Sequence, residues 1–148
     1  DFEPADAAAV LLAAADARGT EAKERERALV DGLDLPAREA DQRVRRAQHG
    51  AERDQLLAGL EGLETWYRDL VVVGAGAEDA VVNADLVAEL REDVAAGAGE
   101  GAVEAAEVVR ETWRALEEFN LNAPLALEAL FVRVHRALVV GASRTIPA

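Results

Sequence analysis

Apolar side chains return every three or four positions through most of this chain. Leu56, Leu60, Leu63, Tyr67 and Leu70 follow one another at steps of four, three, four and three, with Trp66 and Val73 alongside. Such steps place them on one face of a helix. Leu86, Leu90 and Val94 share a second face, with Asn83 as N-cap and Asp85 in the first turn. Val103, Ala106, Val109, Trp113 and Leu116 predict the inward side of a helix from about Ala102 to Phe119. Leu127, Leu130, Phe131, Val134 and Leu138 do so for a last helix from Asn122 to about Val140.

Proline and glycine supply the punctuation. Pro4 opens a helix over 4–18 and Gly19 closes it; Thr20 caps a second that runs to about Asp31. GLDLP breaks that helix, and Pro36 opens a long segment whose first half, AREADQRVRRAQHGAERD, reads as a solvated helix. Ala95–Gly101, AAGAGEG, reads as a flexible connection. Gly59 and Gly62 each weaken their helix by up to about 1 kcal/mol and are places where another helix can approach closely. Glu64 and Arg68 form an acid-before-base pair four apart. The pattern predicts an all-α fold, a helical bundle of about five to six helices. Residues 1–35 form an N-terminal helical segment and residues 36–148 the main helical domain.

Composition narrows the function. Half of the 148 residues are hydrophobic (51%) but only 4% are aromatic, so the core is built from Ala, Leu and Val. The net charge of −13 opposes direct nucleic-acid or anionic-membrane binding, because affinity for phosphate rests on cationic side chains. The absence of cysteine excludes disulfides, thiolate metal sites and a cysteine nucleophile, and fits a cytoplasmic setting. No apolar run approaches the ~20 residues of a membrane-spanning helix. With no methionine, the chain is expected to be a processed product or a fragment of something longer.

Candidate chemistry is thin. LVVVGAGAEDA, Leu70–Ala80, imitates a strand and dinucleotide loop with Gly74 and Gly76 in place. Asp79 stands where the fingerprint needs a small residue, and no βαβ unit follows, so a helix end and loop is the reading. Gly97, Gly99 and Gly101 alternate without a preceding strand. Neither His49 nor His135 stands in an E-x-x-H or H-E-x-x-H arrangement, and both are placed on helix surfaces. Ser143, the sole serine, stands near the C-terminus, and acidic pairs such as Glu117–Glu118 and Glu92–Asp93 read as solvated faces. No catalytic, cofactor or metal site emerges.

Two segments carry a resemblance. In Glu64–Leu86, ETWYRDLVVVGAGAEDAVVNADL, the residues are Trp66, Arg68, Asp69, Leu70, Asn83, Asp85 and Leu86. In Glu117–Val134, EEFNLNAPLALEALFVRV, they are Asn120, Asn122, Leu125, Ala126, Leu127, Glu128 and Leu130. In this order and separation they resemble the C-terminal collar domain of the delta-prime subunit of the bacterial DNA polymerase III clamp loader, over residues 37–141. The related gamma/tau collar shares the R-D-L-like tract, and the paired asparagines favour delta-prime. The resemblance implies a helical oligomerisation domain with no catalysis or cofactor of its own, cytoplasmic, whose partners are the collar domains of other clamp-loader subunits in DNA replication. Val71–Val73, Val132, Val139 and Val140 are candidates for partner-facing positions, or else serve to thicken the domain's own core. An unrelated helical adaptor and a small helical enzyme with scattered acids and arginines are the other readings.

FNLNAPLALEALF, Phe119–Phe131, reads locally as a helix–helix corner. Asn120 takes a left-handed conformation and Leu121 folds back on the preceding helix. Asn122 caps the last helix through the N–H of Leu125, since Pro124 at the second helical position has none to give.

Overall fold

A computed structural model describes residues 2–119 and 121–144. Among them are five α-helices: α1 (Pro4–Asp31), α2 (Ala37–Gly74), α3 (Val87–Ala95), α4 (Ala98–Glu118) and α5 (Ala123–Arg144). Two short 3-10 turns, Glu78–Ala80 and Ala84–Leu86, lie between α2 and α3, and the described residues contain no strand. None of these helices is long and apolar enough to cross a membrane. The all-helical expectation holds. Residues 9–59 form one compact unit, and residues 2–8 together with those from 60 onward form the other.

The 9–59 unit is a helical hairpin. Arg27 pairs with Asp41 at 3.0 Å, Arg43 pairs with Glu26, Gly19 lies against Glu52 and Gly59 against Leu11. As one position in each pair rises the other falls, so the two helices run antiparallel. Its buried apolar residues are few: Ala15, Val30 and Val44. Here the expected break at Gly19 does not occur, and α1 continues through Gly19 and Thr20. A Cβ on Gly19 would lie 2.5 Å from Glu52 Cγ, so the glycine makes room for the facing helix rather than ending its own. Gly59 has a similar role, since a Cβ there would meet Leu11 Cδ2 at 2.9 Å; Gly62 faces open space.

The other unit buries Leu60, Tyr67, Leu70 and Val73 of α2, Leu90 of α3, and Ala102, Ala105, Ala106, Val108 and Val109 of α4. From α5 come Leu127, Leu130, Phe131, Val134 and Ala137. Phe2 sets its ring edge-on to Phe131, at a centroid distance of 6.5 Å, and stacks on His135 at 5.0 Å. α4 and α5 cross very closely. A Cβ on Gly101 would stand 2.3 Å from the Ala137 carbonyl oxygen, and one on Gly141 would stand 2.5 Å from the Gly101 nitrogen.

Three expectations are corrected here. The Ala95–Gly101 stretch is no flexible connection: α3 ends at Ala95, Gly97 turns the chain with φ +95°, and α4 already includes Gly99 and Gly101. Val103 points outward at 64% exposure, because the inward face of α4 is set by Gly101, Ala105 and Val108 where backbones meet. Glu64 does not pair with Arg68; it accepts a hydrogen bond from Arg110 Nε at 2.8 Å, while Arg68 turns to Asp69.

Overpacking at a close backbone crossing costs more than helix propensity returns. Gly101→Ala is predicted to destabilise the chain by about 1–3 kcal/mol. Gly62→Ala, in open helical space, should stabilise it by about 0.5–1 kcal/mol. Urea titration of both variants checks the pair; equal midpoints would refute the close crossing.

Candidate functional site: a buried carboxylate that holds a loop

Between α2 and α3 the chain leaves regular helix for twelve residues, 75–86. The exit from α2 is hydrogen-bonded in a way that needs glycine. Ala77 N–H donates to Val72 C=O at 3.0 Å and Gly76 N–H to Val73 C=O at 2.9 Å, with Gly76 at φ +74°. This is a Schellman stop, in which the residue after the last turn is left-handed and glycine alone adopts that form without Cβ strain. GAGAE is therefore a helix terminator rather than a phosphate loop.

About two turns before that stop, Asp69 carries its carboxylate inward with no solvent exposure. Four N–H groups surround it. Val82 N–H approaches both oxygens at 3.1 Å; Asn83 N–H and Asn83 Nδ2 each donate to Oδ2 at 2.8 Å; Arg68 Nη1 donates to Oδ1 at 2.8 Å. Arg68 Nη2 also reaches the Ala80 carbonyl at 3.3 Å. Burial by itself pushes the Asp69 carboxyl up. The Asn83 N–H, the Val82 N–H, the Asn83 side-chain amide and the Arg68 charge together outweigh it and hold the group below its ordinary value. Asp69 is thus an ionised carboxylate whose acceptor sites are taken up by the loop it holds.

A second clasp lies nearby. Arg91 of α3 grips Glu78 with two parallel hydrogen bonds, one at 2.8 Å from Nε to Oε1. The hydrogen bonds from Arg91, more than its charge, pull the Glu78 carboxyl down, and Glu78 in turn pushes the Arg91 guanidinium up. This pair is exposed and adds orientation more than stability.

The expected motif residues fall as follows. Arg68, Asp69 and Asn83 meet in one cluster. Leu70 is buried beside them in sequence, and Trp66 is half-buried on α2. Asn83 does not cap a helix through its side chain; that amide is committed to Asp69, and α3 begins only at Val87. Asp85 is exposed in the Ala84–Leu86 turn, and Glu128 is exposed on α5. Asn122 accepts a hydrogen bond from Leu125 N–H at 3.1 Å, as the cap requires. Asn120 lies outside the described residues. Leu121 is 44% exposed and Phe119 60%, so the corner leaves apolar surface uncovered instead of folding it away.

Neither histidine is drawn into a site. Among the described residues His49 contacts one carboxylate, Glu52, at 3.1 Å, and His135 lies exposed under Phe2. Tyr67 is buried; its hydroxyl is pushed up to about 12 by burial and by the nearby Asp93 charge, so it stays neutral. Among the described residues no three His, Asp or Glu side chains gather at metal-binding geometry. A groove of about 580 Å³ lies beside Leu70, Val71, Val94, Val103, Ala142 and Glu100, walled mainly by aliphatic side chains and backbone. Nothing in the residue spacing predicts the Asp69 cluster as a contact; the one signal in the sequence is the resemblance that groups Arg68, Asp69 and Asn83. No protein-family model, curated protein or solved structure matches the chain.

Asp69→Asn turns an acceptor into a donor opposite N–H groups. It is predicted to cost roughly 2–4 kcal/mol at neutral pH. The Asp69 pKa is lowered by folding, so its stabilisation is complete above the unfolded carboxylate range, about pH 4, and is lost as pH falls through the folded value. The stability gap between wild type and Asp69→Asn should therefore shrink below about pH 4 in thermal melts; a constant gap would refute an ionised Asp69. Asn122→Ala should cost ~1 kcal/mol by denaturant titration, and no change would refute the cap.

Proposed function

We propose that this chain is an assembly domain: the C-terminal collar domain of a delta-prime subunit of the bacterial DNA polymerase III clamp loader. On this reading it works in the cytoplasm, holds subunits together while the sliding clamp is loaded, and has no catalysis of its own. The observation that carries the reading is the Asp69 cluster. WYRDL and NADL are two separate pieces of the resemblance, and Asp69 of the first, bonded to its neighbour Arg68, also accepts from Asn83 of the second, fourteen positions on. Residues that depend on one another physically have a reason to occur together, which a chance resemblance lacks.

The outer side of α5 adds support. Leu125, Val132 and Val139 stand at seven-residue intervals and are 65%, 43% and 50% exposed, with Val140 at 43% beside them. These side chains leave one line of apolar surface facing solvent, the kind of surface that marks a protein contact. An unassembled helix gains nothing from it. Of the expected partner-facing positions, Val132, Val139 and Val140 are free to take that part; Val73 is buried in the domain's own core.

The test is co-purification of this chain with gamma/tau and delta subunits. Wild type is expected to be retained. Val132→Asp with Val139→Asp should lower retention at least tenfold, about 1.4 kcal/mol, with an unchanged circular dichroism spectrum. Absence of binding by the wild type to any clamp-loader subunit would overturn the proposal, and full retention of the double variant would remove α5 from the interface.

A further inference from the structure

The net charge of −13 conceals a sharp division. Residues 9–59 hold nine of the sixteen cationic side chains and ten of the twenty-nine acids; the rest of the chain holds seven cations against nineteen acids. The helical hairpin is therefore nearly neutral, and within it the cations are sorted. Arg38, Gln42, Arg45, Arg46, His49 and Arg53 are all exposed, while Ala40, Val44, Ala47, Gln48, Ala51 and Gln55 on the other side of α2 are buried or half-buried. At 3.6 residues per turn the six exposed residues fall within an arc of about 100°, along a length of about 22 Å. No carboxylate and no apolar residue falls within that arc; Glu39 and Glu52 flank it.

Off the stripe, Arg18, Arg27 and Arg43 each pair with a carboxylate of the hairpin, while Arg25 and Lys23 have no such pair among the described residues. Among the described residues Arg38, Arg45, Arg46 and Arg53 have no carboxylate within ion-pair distance. Arg38 and Arg45, with Gln42 and Asp41, line a shallow concavity at the start of α2.

We infer that this stripe is a docking surface for the phosphate backbone of a nucleic-acid duplex, bound without regard to sequence. The chemistry selects that partner. Four guanidiniums with open donor forks suit phosphate oxygens, which they can meet in bidentate fashion. A protein partner would call for an apolar or aromatic centre, and the stripe has none. Single strands are held by aromatic stacking, and the stripe carries no Phe, Tyr or Trp. What remains is a polar, positive, narrow track, the character of a backbone contact. The expectation drawn from net charge averaged two units of different sign pattern, and the local field of the hairpin is what a polyanion meets at contact range. The inference stands independently of the assembly proposal, because it rests on other residues and is read by duplex binding rather than subunit capture.

The experiment is fluorescence anisotropy of a short labelled DNA duplex with the whole chain, across a salt series. Four phosphate contacts predict a slope of log K against log salt near −3.6, so raising salt from about 50 to about 200 mM should weaken binding about 150-fold. Arg38→Gln, Arg45→Gln, Arg46→Gln and Arg53→Gln combined should abolish binding, whereas Arg110→Gln with Arg114→Gln in α4 should leave it unchanged. Overturning results are no binding by the wild type at the lowest salt, binding that survives the quadruple change, or tighter binding to a single strand, polyglutamate or anionic vesicles than to the duplex. The salt slope is read on wild type alone, so it decides the matter even if the quadruple variant folds poorly.

Discussion

A carboxylate with no access to water is expensive to keep charged unless nearly every acceptor position on it is filled. Asp69 meets that condition with N–H groups from the loop it faces and one guanidinium from its own helix. The dependence runs both ways. Val82 and Asn83 need an acceptor because they lie in a stretch with no ladder of its own, and Asp69 needs donors because it is buried. From this one exchange follow the path of residues 75–86, the point at which α3 can begin, and the position of Leu90 in the core. The Gly76 stop and the Glu78–Arg91 clasp then fix the near and far ends of the same loop.

The second constraint is steric. Gly101 and Gly141 let α4 and α5 approach until backbone meets backbone, which turns Val103 outward and leaves the outer side of α5 as an unpartnered apolar stripe. A domain whose own core is already filled by Leu, Val, Ala and aromatic side chains, and which still displays Leu125, Val132 and Val139 along one exposed line, has apolar surface left for another helix. That is the physical content of the assembly proposal. The arginine track on the hairpin is a separate resource, polar where α5 is apolar.

Much of the helical layout was legible in the residues. Leu56 to Leu70 and Leu127 to Val134 announced their helices through three-and-four spacing, and Asn122 announced its cap because Pro124 left only one N–H within reach. What escaped was everything decided by a distant neighbour. Gly19 looked like a terminator but is a space for Glu52; Gly101 looked like loose linker but is a crossing point; Asn83 looked like a cap but is spent on Asp69. Glycine and asparagine each serve several local purposes, and only the facing element selects among them. The candidate cluster was grouped in the sequence only by a resemblance and not as a set of contacts, since nothing in the spacing of Arg68, Asp69 and Asn83 reveals a hydrogen bond.

Asp69 holds the loop through the N–H groups of Val82 and Asn83, and amide hydrogen exchange reads those bonds directly. The N–H groups of Val82 and Asn83 belong to no helix, and Val82 is 64% exposed. They are expected to exchange as slowly as the core amides of α2, and to lose that protection in Asp69→Ala while the α4 amides keep theirs. Exchange of Val82 and Asn83 at free-loop rates in the wild-type chain would contradict the account.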